Sequence, residues 1–167
     1  DPRRFGFIVL LSSNNILNHK FFIHLGPEPL SKKFNSNYLM RSCHKKKASI
    51  KSIIMNQSMV VGVGNIYASE ALHISTVSPM REAHTITHEE FKRIVKNIKL
   101  VLKRAIKLGG SSISDYSMVN GKLGYFQNEL KVYNREGKNC SKKTCKGQIL
   151  RIVISQRSTF YCSQCQK

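Results

Sequence analysis

Residues 60–72, VVGVGNIYASEAL, decide the fold of this chain. Two glycines precede a polar residue, Asn65, and apolar side chains then return at helical spacing, at Ile66, Ala68, Ala71 and Leu72. A glycine turn that opens on Asn65 as the N-cap of a helix explains this order. The stretch therefore predicts a turn followed by a helix at the centre of a mainly helical unit.

Helical periodicity continues on both sides, from residue 31 to about residue 110. Two short segments precede the glycine turn, and the basic run Lys45-Lys46-Lys47 separates them; their apolar residues are Phe34, Tyr38 and Leu39, then Ile50, Ile53 and Ile54. After the turn, Thr87 and Glu90 form a capping box and Gly109-Gly110 ends the longest predicted helix. Its apolar face consists of Phe91, Ile94, Val95, Ile98, Leu102, Ala105 and Ile106.

The two ends of the chain are predicted to contain β-structure. Residues 5–11 have the length and composition of one buried strand, and residues 25–30, with two prolines and a glycine, predict an extended connector and a domain boundary. Residues 111–124 indicate a long exposed loop, residues 130–133 one short strand, and residues 148–154 with 158–162 a β-hairpin. The expected fold class is mainly α with a small β-hairpin (α+β).

Four of the five cysteines, Cys140, Cys145, Cys162 and Cys165, fall within the last 28 residues with the spacing C-x4-C-x16-C-x2-C. Such a cluster is either two disulfides or a metal site. No signal peptide is recognisable, and Cys43 would be left over in an oxidising compartment, so we expect one structural Zn²⁺ in a reducing cytosol. Four thiolate ligands leave no open position for catalysis.

The charge balance indicates a polyanionic partner. The 167 residues carry 28 Lys and Arg against 9 Asp and Glu, a net charge of +19, which zinc with four thiolates would lower only to about +17. Nucleic acid is the first candidate. We expect no membrane association, because Trp is absent and no basic segment carries an apolar membrane-binding face. The expected protein is a cytoplasmic, nucleoid-associated monomer.

Several residues have both a functional and an ordinary structural interpretation. Arg157, near the predicted hairpin tip, could bind phosphate or be an exposed turn residue, and Asn65 could cap its helix or mark a phosphate site. The run around Lys46 is either a solvated surface or a phosphate-binding patch. Glu70 is better explained as a capping or salt-bridge partner than as a general acid. The residues alone thus predict a basic, zinc-stabilised nucleic-acid-binding module with no visible active site.

Six segments resemble, in order, the bacterial formamidopyrimidine-DNA glycosylase family. They are DPRRFG at 1–6, HLGPEPL at 24–30, VGVGNIYASEAL at 61–72, GYF at 124–126, VY at 132–133 and RSTFYCSQCQK at 157–167. Residues 62–72 are similar to the core of that family's helix-two-turn-helix domain, and the C-terminus is similar to its zinc finger. The resemblance implies three parts: the end of an N-terminal β-sandwich at 1–30, the helix-two-turn-helix domain at 31–124 and a four-cysteine zinc finger at 125–167.

The resemblance also implies a function in base-excision repair of damaged duplex DNA. Members flip an oxidised purine out of the helix, cleave its glycosidic bond and nick the strand by β,δ-elimination. By motif match, Arg3 and Phe5 resemble the pair that fills the void in the duplex, and Lys46 and Asn65 resemble phosphate-binding positions. Arg157 resembles the catalytic finger arginine that grips the flanking phosphates and assists δ-elimination. Tyr133 and the loop 111–124 resemble the region that closes on the flipped base.

The chain departs from the family in four ways. The N-terminal Pro-Glu nucleophile and the lysine of the sandwich have no match, and Pro2 belongs to an internal motif. The first cysteine pair is separated by four residues where the family has two, and Ser114 stands where relatives carry a basic residue. We therefore expect this fragment alone to be inactive. The alternatives are a non-catalytic duplex-binding fragment and a paralogue acting on oxidised pyrimidines.

Overall fold

The computed structural model describes residues 8–16, 18–111 and 125–167. Its helices are α1 (Ser36–Cys43), α2 (Ile50–Met55), α3 (Asn65–Ser75) and α4 (His88–Lys107), and its strands are β1 (Ile149–Ile154) and β2 (Arg157–Cys162). Short 3-10 turns lie at Ser13–Asn15, Ala83–Thr85 and Phe126–Glu129. The expected fold class, mainly α with a small β-hairpin, is confirmed. Among these residues, no helix combines the length and apolar character needed to cross a lipid bilayer.

Helix α4 follows its sequence signals closely. Thr87 and Glu90 form both hydrogen bonds of the capping box, and Gly109 and Gly110 take positive φ values of 73° and 84° after its last turn. The predicted apolar face is buried against α1 and α3 except at Ile106, which is 68% exposed. Ile106 lies one residue beyond Ala105, a step of about 100° around the helix, and this step turns it away from the core.

The two short helices before the glycine turn are also confirmed. The Asn35 side chain accepts a hydrogen bond from the backbone N–H of Tyr38 and caps α1, and Ser49 caps α2 through the N–H of Ser52. The buried residues of the two helices, Leu39, Cys43, Ile50, Ile53 and Ile54, share one core with α3 and α4. The core therefore belongs to the helical unit, and the hairpin lies beside it.

The connector at residues 25–30 is non-helical, as predicted, and it packs against the turn before α3. Gly26 donates its N–H to the carbonyl of Gln57, and the N–H of Val61 donates to the carbonyl of Pro27. A Cβ at Gly26 would lie 2.5 Å from the carbonyl carbon of Met59, so only glycine allows this approach.

The strand predicted at residues 5–11 is wrong for the part that the structure describes. Residues 8–11 have no regular structure, and Ile8 and Leu10 are 102% and 98% exposed. Within the described ranges no neighbouring strand lies beside them, and an unpaired strand has no hydrogen bonds to stabilise it. Residues 1–7, with Arg3 and Phe5, lie outside the described residues, as does the loop 112–124.

The C-terminal hairpin is confirmed. Strands β1 and β2 pair antiparallel from Ile149 opposite Cys162 to Ile154 opposite Arg157. The connecting residues Ser155 and Gln156 have φ values of 47° and 59°, the left-handed conformation that a two-residue hairpin turn requires. Arg157 is thus the first residue of β2 and directly follows the turn.

The short strand predicted at residues 130–133 is wrong. Residues 131–133 form bends and a turn, because their backbone N–H groups bond to a side chain of α3 instead of to another strand.

Candidate nucleic-acid interface and metal centre

The four clustered cysteines converge on one point beside the hairpin. Cys140 and Cys145 precede β1, Cys162 ends β2 and Cys165 lies in the turn that follows, and their Sγ atoms all lie within 4.8 Å of one another. The Sγ atoms of Cys140 and Cys165 are 3.8 Å apart, and those of Cys145 and Cys162 are 3.6 Å apart. A tetrahedral zinc with bonds of about 2.3 Å places its sulfur ligands about 3.8 Å apart. The cluster therefore fits one metal ion of zinc's geometry.

The surroundings of the cluster also suit metal binding. A Cβ at Gly147 would lie 2.7 Å from Sγ of Cys162, so glycine lets the backbone approach the sulfur. Burial raises the pKa of the Cys140 thiol, so a bound cation would have to supply the attraction that keeps this sulfur as a thiolate. His73, on α3, is buried beside Cys140, and this burial followed by the charge of Lys142 lowers its pKa to about 4.

A buried lysine joins the helical unit to the hairpin. The Lys51 side chain is fully buried, and its ammonium Nζ donates to Oδ1 of Asn65 at 2.5 Å and to Oγ1 of Thr159 at 2.7 Å. Burial, and secondly the charge of Arg157, lower the Lys51 pKa to about 8. Both acceptors are neutral, and no carboxylate pairs with this ammonium in the parts of the chain that the structure describes. Sequence reasoning missed this role; the only signal was a lysine among the isoleucines of α2.

Asn65 does not cap α3, and the N-cap prediction is wrong. Gly64 is the N-cap, and Asn65 is the first helical residue. Its side-chain amide nitrogen donates to the carbonyl of Ser158 at 2.9 Å and to the hydroxyl of Tyr133 at 3.4 Å, while its oxygen accepts from Lys51. The side chain is committed to holding the hairpin against α3, so the helix start depends on the backbone of the glycine turn.

A cleft of about 380 Å³ opens at this junction. Its walls are the glycine turn, the first residue of α3 and the finger arginine, with Met55, Gln57, Gly62, Val63, Gly64, Asn65 and Arg157 as lining residues. A smaller recess of about 230 Å³ shares Arg157 and Met55. The first N–H groups of an α-helix have no intrahelical acceptor, and they carry the positive end of its dipole. With Arg157 opposite them, the cleft has the chemistry of an anion site.

Arg157 is exposed at this cleft. In the described part of the chain, no acceptor pairs with its guanidinium. Of the predicted site residues, Asn65 and Arg157 line this cleft, and Tyr133 contacts Asn65 through its hydroxyl. Lys46 is exposed in the turn after α1, where its carbonyl accepts the backbone N–H of His84.

Glu70 holds the segment before the finger against α3. Its carboxylate is 2% exposed and accepts hydrogen bonds from the backbone N–H groups of Lys131, Val132 and Tyr133 at 2.9–3.1 Å. Of the two roles predicted for Glu70, the structure shows capping: the carboxylate caps a loop and forms no salt bridge within the described residues.

These features define a class of protein. A helical unit whose glycine turn and following helix face a four-cysteine β-hairpin has the layout of a helix-two-turn-helix domain joined to a four-cysteine finger compatible with zinc. The model of the formamidopyrimidine-DNA glycosylase H2TH domain matches residues 25–117. The chain belongs to the formamidopyrimidine-DNA glycosylase family, and the resemblance in its sequence is confirmed.

Relatives match the whole chain but extend beyond it. The chain is 47% identical to the formamidopyrimidine-DNA glycosylase of Klebsiella pneumoniae and 44% identical to that of Azorhizobium caulinodans, in each case over 100% of its own length. It spans 61% and 59% of these two proteins.

Solved structures give the same result. A mutant of the Lactococcus lactis enzyme in complex with Fapy-dG containing DNA superimposes with a TM-score of 0.90 at 34% identity, over 100% of this chain and 60% of that one. The MutM (Fpg) protein of Thermus thermophilus superimposes with a TM-score of 0.88 at 37% identity, over 99% of this chain and 62% of that one.

Proposed function

We propose that this chain is the DNA-gripping part of a base-excision repair DNA glycosylase. One observation carries the proposal: the glycine turn, the N-terminus of α3 and Arg157 face the same cleft. Its natural occupant is the phosphate backbone of a damaged duplex. The names and DNA-bound structures of its relatives support this choice.

Electrostatics favours a phosphate in this cleft. Arg157 is close enough to Lys51 for its charge to help lower the Lys51 pKa, and Lys51 has only neutral hydrogen-bond partners among the described residues. Two cations held together without a counter-ion leave a region of positive potential, which an incoming phosphate would neutralise. The net charge of +19 would add long-range attraction toward DNA.

We assign the finer roles by family membership. Arg157 and the turn before Asn65 hold the phosphates beside the lesion, with Lys46 as a more distant phosphate contact. Arg3 and Phe5 fill the void in the duplex, and Tyr133 helps close the site on the flipped base. The division into 1–30, 31–124 and 125–167 is proposed with these roles. The full reaction removes oxidised purines and nicks by β,δ-elimination, with a nucleophile that is not among the residues of this chain.

Salt-dependent titration of the chain on a duplex with an abasic site tests the proposed contact between Arg157 and the DNA phosphates. Arg157→Ala should weaken binding by roughly 1–3 kcal/mol and lower the slope of log K against log salt by about one. Lys103→Ala, on the exposed face of α4, is the matched control, because it removes the same charge away from the cleft. An unchanged slope for Arg157→Ala would remove this residue from the interface.

Borohydride trapping on the same duplex tests whether an amine of this chain forms a Schiff base with the abasic site. We expect binding without a covalent adduct, since the chain has no match to the family's N-terminal nucleophile. A trapped adduct would mean that an amine of this chain forms the Schiff base, and it would contradict the assignment of the nucleophile.

We propose zinc as the metal of the four-cysteine cluster, because four thiolates at these separations suit it. Zinc would stabilise the finger, whose small core consists of Val132, Cys140, Ile149, Phe160 and Cys162. Purified reduced protein should release one zinc per chain to a chelator, and residues 138–167 should then lose amide protection. Protein that contains no zinc would refute the assignment.

A further inference from the structure

The last turn of α3 carries a buried histidine that faces the metal cluster. His73 is 1% exposed, and its Nε2 lies 3.4 Å from Sγ of Cys140. Cys140 is one of the four cysteines that converge, whereas His73 is not a member of the cluster. The histidine therefore contacts the cluster from outside, and it does so from the helix whose first residue is Asn65.

An imidazole ring with one N–H can carry it on Nδ1 or on Nε2, and the two nitrogens of His73 have different surroundings. Nδ1 is buried and has no hydrogen-bond partner within the described residues. A proton on Nδ1 would be an orphaned donor and would leave the lone pair of Nε2 facing sulfur. A proton on Nε2 would point at Cys140, whose sulfur accepts well when it is a metal-bound thiolate.

We propose that His73 is a positioning residue that donates its Nε2–H to the metal-bound thiolate of Cys140. The hydrogen bond ties the metal centre to α3. This inference rests on the proposed zinc centre. It assigns to a histidine of the helical domain a function that the spacing of the cysteines does not reveal.

Contacts from both cysteine pairs converge on the same end of α3. Lys142, between Cys140 and Cys145, donates from Nζ to the carbonyl of His73 at 2.7 Å. A cation at this position also complements the negative end of the helix dipole. On the other side, Gln166 follows Cys165; its amide donates to the carbonyl of Val77 at 2.8 Å, and its oxygen accepts from the N–H of Cys162. Ordering of the two pairs by a metal would therefore fix the finger on α3.

The consequence for DNA binding follows from the length of the helix. His73 lies eight residues after Asn65, about 12 Å along the axis at 1.5 Å per residue. A rigid helix of this length links the metal centre at one end to the proposed phosphate cleft at the other. Loss of the metal should therefore also affect phosphate binding in the cleft.

Nitrogen-15 NMR of the zinc-loaded full chain tests the hydrogen bond directly. We expect His73 as the Nε2–H tautomer with a slowly exchanging proton. In protein loaded with cadmium-113, that proton should show scalar coupling to the metal through the sulfur. A His73 ring protonated at Nδ1 would overturn the proposal, and this measurement needs no variant.

Two substitutions then distinguish the effect of the N–H donor from the effect of the ring's shape. His73→Phe keeps a flat ring without a donor, and we expect it to bind one zinc but release it to a chelator at least about tenfold faster. His73→Gln restores an N–H donor and should recover much of the slow release. His24→Phe, at an exposed histidine, is the control.

The outcomes are distinguishable. A wild-type chain that binds no zinc would remove the metal centre and this inference together. Normal zinc content, with His73→Phe releasing zinc as slowly as the wild type or His73→Gln as fast as His73→Phe, would overturn the role of His73 alone.

Discussion

Removal of the Glu70 carboxylate should release the loop at residues 131–133 from α3. The carboxylate is buried and meets three backbone N–H groups, of which that of Val132 is in a fully buried residue. In Glu70→Ala the Val132 N–H is left without an acceptor, which costs about 1–3 kcal/mol. Loss of the charge-assisted bonds to Lys131 and Tyr133 adds to this, although water can replace part of it because both residues are accessible. We expect the free energy of unfolding to fall by about 3 kcal/mol.

The geometry predicts a smaller loss for Glu70→Gln. One oxygen, Oε1, accepts from all three N–H groups, whereas Oε2 accepts only from Lys131. A glutamine whose side-chain oxygen takes the place of Oε1 still accepts from all three N–H groups. Its NH₂ group then takes the place of Oε2 and faces only the N–H of Lys131. The loss should therefore be about 1 kcal/mol, close to the value of one ordinary hydrogen bond.

Urea unfolding of the metal-loaded chain, followed by far-ultraviolet circular dichroism, measures both values. Glu89→Ala is the matched control, because this glutamate is exposed and its ion pair within the described residues is with Lys92 on the surface of α4, where solvent screens such a pair. Hydrogen exchange should show the 131–133 amides losing protection in Glu70→Ala. The reasoning is refuted if Glu70→Ala is within about 1 kcal/mol of the wild type or if the two variants are equally unstable.

Three further predictions concern stability. Because Lys51 has a pKa of about 8 in the folded chain and a higher one when unfolded, the unfolded state binds more protons above pH 8. The free energy of unfolding should therefore rise with pH from about 8 to about 10.5, and urea titrations of Lys51→Met should lack this part of the rise. Gly26→Ala places a Cβ against the backbone of Met59 and should lower the melting midpoint, with a cost of about 1–3 kcal/mol. Changing Ser155-Gln156 to Asn-Gly suits the left-handed turn and should raise the finger's resistance to unfolding by up to about 1 kcal/mol; a lower stability would contradict the turn assignment.

The features that sequence predicted correctly are set by local rules. The capping box at Thr87 and Glu90 and the apolar periodicity of α4 depend on residues three or four positions apart, so they can be seen in a short window. The finger hairpin and its cysteine spacing are local in the same sense. The family motifs around Asn65 and Arg157 indicated the function of these elements.

The errors occur where a distant side chain decides the backbone. Residues 130–133 have the composition of a short strand, but Glu70, about 60 residues earlier, accepts hydrogen bonds from the N–H groups of residues 131–133. Asn65 is a residue type that often caps helices, but its side chain is hydrogen-bonded to Lys51 and to the carbonyl of Ser158. Gly64 is the N-cap instead. The partners of Lys51 cannot be seen in a short window of sequence, because they lie 14 and 108 residues further along the chain.

Three of the contacts that hold the finger region come from one helix, α3, and their chemistry favours one orientation of the finger. From N-terminus to C-terminus, α3 presents Asn65 to the β2 strand, Glu70 to the loop before the finger and His73 to the four-cysteine cluster. An apolar interface would tolerate sliding, since hydrophobic contact is not directional. Each of these polar contacts is at least partly buried and loses its partner if the finger shifts by a residue, so a shifted finger leaves unsatisfied groups. The penalty fixes the register of β2 on α3 and thereby keeps Arg157 opposite the N–H groups of the helix start.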